Sequence, residues 1–125
     1  MIKIFIYGLP LKKDSVSAQA RAEYIKRLSR IAKVTFKRLP SVLPEGCINF
    51  SDSGAAISSP DLAQFLALNL KSGNELHLAL NGASSACPES IQLTSLPLSA
   101  ETESVLLLEQ IYRAFKIMAG EPYHK

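Results

Sequence analysis

Tyr123, His124 and Lys125 bring a phenol, an imidazole and an ammonium group together at the end of the 125-residue chain. An imidazole exchanges protons near neutral pH, and a lysine beside it attracts an anionic substrate. Chain ends often fray, but this one follows directly on a long apolar segment that would hold it in place. The second imidazole, His77, sits in a strand-like stretch with no neighbouring ligand cluster, and reads as a packed or surface residue. Cys47 and Cys87 form neither a CxxC pair nor a zinc spacing, so free thiols are expected and no metal site is. Arg113 stands four residues after Glu109, the spacing of a helical ion pair.

Charge is distributed unevenly. The net charge is +3, but residues 1–40 hold ten of the fourteen Lys and Arg against two acids. That imbalance points to an anionic partner for the N-terminal third. Lys26, Arg27 and Arg30 fall on the outward side of an amphipathic segment and are candidates for phosphate contact, as is Lys125.

The elements that must position these groups are legible in outline. One domain spans residues 1–125 by length. Ile2, Ile4 and Ile6 alternate with Phe5 and Tyr7, apolar on both sides, as in a central parallel strand. Residues 15–32 pattern as a helix, 34–39 and 47–50 as strands, and 51–54 as a turn. A second helix follows, with Ser59 as N-cap and Pro60 as first helical residue. Residues 75–80 form a further strand, and Ser99 or Thr102 caps a final helix. Strands alternating with helices predict an α/β layer with a mainly parallel sheet, and such sheets bind ligands beyond the carboxyl ends of their strands. The final helix, from Val105 to Met118, is apolar on most of its circumference. A homodimer is expected from it, with Leu107, Ile111, Ala114 and Phe115 in the interface. No stretch is long and apolar enough for a membrane span, and a cytoplasmic location is the default.

The segment LLLEQIYRAFKI followed by GEPYHK resembles the C-terminus of the ribosomal large-subunit pseudouridine N3-methyltransferases of the SPOUT, or trefoil-knot, superfamily. MIKIFI resembles that family's first strand, and AEYIKRLSRIAKV its first helix and turn. The resemblance implies a C-terminal trefoil knot and an S-adenosylmethionine cofactor held mainly by backbone groups. Those groups would come from Phe50, from Asn81 and Gly82, and from the loop Leu93, Thr94, Ser95, Leu96, Pro97 and Leu98. It further implies a homodimer in which Tyr123 and His124 reach the reacting base. The substrate would be large-subunit ribosomal RNA, alone or in the assembled ribosome.

This sequence departs from the family pattern in several places. Ser51 stands where an aspartate is usual, Asn81 replaces a glycine, and Pro97 removes an amide donor. Residues 99–104 carry two acids in place of a histidine and an arginine, and a helix expected between Leu39 and Cys47 is missing. Methylation at N3 of a pseudouridine is therefore the first reading. A dimeric homologue that binds RNA without methyl transfer is the second.

Overall fold

The structure is a computed structural model. It describes residues 2–8, 11–41, 46–70, 74–80, 89–92 and 99–120, with 51–55 and 89–90 described by their backbone alone. Among these residues, five strands and three helices follow in the order β1 (Ile2–Gly8), α1 (Val16–Leu28), β2 (Ala32–Arg38), β3 (Ile48–Ala56), α2 (Ser59–Asn69), β4 (Glu75–Leu80), β5 (Glu89–Gln92) and α3 (Ala100–Met118). The strands make one sheet in the order β2-β1-β4-β3-β5, and every pairing is parallel. The α/β class and the parallel sheet are as the alternation of elements predicts. The knot expected of the 93–98 loop falls outside the described residues.

Strand periodicity divides the sheet into two unlike faces. Ile4 and Ile6 of β1, Ile48 and Phe50 of β3, Leu76 and Leu78 of β4 and Ile91 of β5 belong to one buried cluster with Leu28, Leu62, Leu66, Leu107, Leu108 and Ile111 from the helices. α3 lies between α1 and α2. A second, smaller cluster on the opposite face holds only Tyr7, Cys47 and Ala79, with Phe5 and Leu39 against it.

Several boundaries differ from expectation. α1 stops at Leu28, because the Ser29 hydroxyl and amide both bond back to the Lys26 carbonyl, and β2 begins at Ala32. Ser58 caps α2, with an extended backbone and its Oγ accepting the Asp61 amide. Ser59 is already helical and directs its hydroxyl to Gln110. Residues 51–54 lie within a long strand: Phe50 and Ala55 both stand opposite Ile91. The chain between them leaves the ladder and rejoins it, as in a bulge. β5 has one apolar residue in four and is strand only through its pairing with β3.

The expected dimer interface is overturned. Leu107, Ile111, Ala114 and Phe115 are at most 5% exposed within a single chain. They face α1, α2 and the sheet, so they are core and not subunit contact.

Candidate functional site

The carboxyl ends of β1, β2 and β4 open on a hollow of about 250 Å³ lined by Gly8, Leu11, Lys13, Phe36, Lys37, Arg38, Leu80 and Ala100. Its floor is apolar, and three cations stand around it. The position agrees with the rule for parallel sheets. Leu80 directly precedes Asn81 and Gly82. Ala100 stands two residues after the 93–98 segment. The two stretches expected to hold a cofactor therefore depart from the walls of one hollow, although both lie outside the described residues.

A buried arginine fixes this wall. Arg21 of α1, 7% exposed, donates from Nη1 to the Glu101 carboxylate at 3.2 Å and to Ser104 Oγ at 2.9 Å, and from Nη2 to the Lys12 carbonyl at 2.8 Å. Glu101 also accepts from the Lys12 amide at 2.9 Å and from Ser15 Oγ at 3.4 Å. The Lys12 amide, then Arg21 and Ser15, hold the Glu101 carboxyl below its usual pKa. Ser99 caps the helix, its Oγ accepting the Thr102 amide, and Glu101 and Glu103 lie in the first turn, where negative charge suits the helix dipole. The acids that depart from the family pattern thus have a structural use: Glu101 ties the start of α3 to α1 and to the 11–15 segment. Nothing in the sequence around Arg21 marks it as buried, since its side-chain partners Glu101 and Ser104 are 80 and more residues away.

The remaining site residues are scattered. Phe50 is fully buried and pairs in register with Leu80, so its backbone is near the hollow while its side chain is core. Lys26, Arg27 and Arg30 are all exposed. Arg27 is partly engaged, paired with Glu23 at 3.2 Å and lying over Tyr24 and Tyr112 at 5.5 and 6.0 Å. Arg113 makes the expected pair with Glu109, at 2.6 Å, and reaches Ser59 at 3.4 Å. Tyr123, His124 and Lys125 lie outside the described residues. Sequence reading missed Lys13, Lys37 and Arg38, although the imbalance of residues 1–40 contains them. Only the fold shows that they end at one opening.

His77 belongs to the other face of the sheet. Its ring stacks on Phe5, with centroids 5.1 Å apart, and on Tyr7, at 5.9 Å. Nδ1 meets the Tyr7 hydroxyl at 2.8 Å and Nε2 meets Glu75 Oε1 at 3.2 Å. A carboxylate only accepts, so Nε2 donates to Glu75, and Nδ1 accepts from the Tyr7 hydroxyl in the tautomer that carries its hydrogen on Nε2. Burial, then the charges of Cys47 and Glu75, push the Tyr7 phenol above its usual pKa, which keeps it a donor. Among the described residues no group of three or more His, Cys, Asp or Glu could hold a metal ion, and no helix is long and apolar enough to cross a membrane.

Comparison with known proteins adds a family. A family model described as a predicted SPOUT methyltransferase matches residues 40–124. Ribosomal RNA large subunit methyltransferase H 1 of Thermoanaerobacter sp. (strain X514) is 31% identical over 129 residues, covering 96% of this chain and 97% of that protein. The methyltransferase H of Geobacter sp. (strain M21) is 35% identical over 116 residues, 85% of this chain and 75% of its own. That of Desulforamulus reducens is 30% identical over an alignment of 162 residues spanning all of both chains. The Thermoanaerobacter protein is thus of about the same length as this chain.

Proposed function

Because the chain belongs to the SPOUT methyltransferase family, we propose that it methylates large-subunit ribosomal RNA with S-adenosylmethionine, at N3 of a pseudouridine. When bound, the cofactor supplies an electrophilic methyl group. The observation that carries this reading is the shared hollow: Leu80 and Ala100, which flank the two proposed cofactor segments, line the same opening at the carboxyl ends of the strands. Its apolar floor fits a cofactor held by backbone groups of Phe50, Asn81, Gly82 and residues 93–98.

Lys13, Lys37 and Arg38 stand where an anionic substrate would approach. A pyrimidine N3 must give up its proton as its bond to carbon forms, so a base is needed beside it. We assign that role to His124, with Tyr123 orienting the ring of the substrate and Lys125 near a phosphate. Lys26 and Arg27 at the end of α1, with Arg30 in the turn after it, add a second basic surface for RNA. The protein is proposed to act as a homodimer, the tail of one copy completing the site of the other. The half-exposed Val105 and Leu106 of α3 are available for that contact. The names of the relatives support rRNA as substrate and methyl transfer as the reaction.

The test combines calorimetric titration with S-adenosylmethionine and transfer of a radiolabelled methyl group to ribosomes lacking the modification. Label in 23S-type RNA, lost on deletion of residues 123–125 while RNA binding persists, is the expected result. RNA binding without any label would replace this reading with that of a binding homologue.

A further inference from the structure

The sheet face opposite the helices has a composition that the core does not need. Its side chains come in three registered rows across β2, β1 and β4: Lys33, Lys3 and Glu75; Thr35, Phe5 and His77; Lys37, Tyr7 and Ala79. Lys3, Lys33 and Lys37 are exposed, and Phe5, Thr35 and His77 are half-exposed. Among the described residues none of the three lysines is in an ion pair. Lys37 Nζ instead lies 4.8 Å from the centroid of the Phe5 ring. Lys3, Phe5, Lys33 and Thr35 line a hollow of about 130 Å³. No helix among the described residues covers this face, and the link from β2 to β3 has only nine residues, 39–47.

We propose that this face, along β1 and β2, is a docking track for single-stranded RNA, with Lys3, Lys33 and Lys37 on its phosphates and the Phe5–His77 pair as a stacking platform. The identity of the polymer rests on the rRNA methyltransferase reading above; the surface itself does not. Lys33 and Lys37 are four residues apart on one strand, about 13 Å, too far for one phosphate and suited to a run of them. Aromatic rings beside unpaired cations are the combination that binds single strands without sequence preference. The track also leads somewhere. Lys37 lines the hollow at the strand ends, so a strand laid along β2 arrives at the candidate site. A second copy of this face is a poor occupant, because it would set three lysines against three lysines.

The test is fluorescence anisotropy with a labelled 15-nucleotide unstructured RNA, using the full chain. A variant with Lys3→Gln, Lys33→Gln and Lys37→Gln should weaken binding at least tenfold and flatten the log Kd against log salt slope by about 2, at roughly 0.7 per phosphate released. Phe5→Leu, which keeps apolar bulk, should weaken it a few-fold. Circular dichroism melts of the same variants should match the parent, and so should S-adenosylmethionine titration of Phe5→Leu and of a Lys3→Gln, Lys33→Gln double variant, neither of which alters the hollow at the strand ends. Unchanged RNA affinity in the triple variant, with all loss confined to Lys26→Gln, Arg27→Gln and Arg30→Gln, would overturn the track. So would equal displacement by a poly-glutamate peptide, which would make the face a site for an acidic protein. A parent chain that binds this RNA through the three lysines but transfers no methyl group would leave the track standing and remove the enzyme reading.

Discussion

Strands β2, β1 and β4 use their two faces for opposite purposes. On the helix side, Ile4, Ile6, Phe50, Leu78, Leu107, Leu108 and Ile111 are wholly buried, and the buried Arg21 enters with partners for both of its terminal nitrogens. On the other side the alternate residues of the same strands include three exposed lysines and a half-exposed aromatic ladder. Burial is concentrated where helices supply cover and falls away where links are short. Stability is therefore expected to reside in one face and recognition in the other.

Substitutions that separate the faces test this directly. Phe50→Ala should cost the most, about 3–5 kcal/mol, through lost transfer energy and a cavity; a chemical denaturation midpoint barely moved would break the comparison. Leu107→Glu should unfold the chain and not merely dissociate a dimer, because it buries a charge among apolar groups. Light scattering of a folded, monomeric Leu107→Glu protein would restore the interface reading. Arg21→Ala should cost about 2–3 kcal/mol, since it removes three hydrogen bonds made by a buried side chain and the charge that faces Glu101, and loosens the start of α3 from α1. Thermal melts would show it.

Glu101→Gln sharpens the same point through pH. Its carboxyl has a lower pKa folded than unfolded, so its contribution is present above the unfolded value of about 4.3 and is lost as pH falls through the folded one. The stability gap between the parent and Glu101→Gln should accordingly be open at pH 7 and close below about pH 4, followed by denaturant melts across that range. A gap that widened in acid would contradict the assignment. The smallest effect is expected on the open face: Lys33→Gln should change stability by less than about 0.5 kcal/mol, and its consequence should be visible in RNA binding alone.

The sequence by itself determined the α/β class, the central parallel strand, the capped terminal helix, the Glu109–Arg113 pair and the family resemblance. All of these rest on local spacing or on short contiguous motifs, which survive without knowledge of what packs where. It also located excess positive charge in the first forty residues. Only the tertiary structure decided which of those cations converge. Lys13, Lys37 and Arg38 meet at the strand ends, Lys3, Lys33 and Lys37 share one face, and Arg21 is consumed inside as a clasp. The same is true of β5, which has almost no signal of its own, and of the bulge at 51–54, which looks like a turn until a neighbouring strand continues past it. The terminal helix gives the sharpest case. Its apolar width was readable, but whether that width meets another subunit or its own domain depended on α1 and α2 lying on either side of it. Contacts between residues 80 and more positions apart are set by topology, and no periodicity within one element reports them.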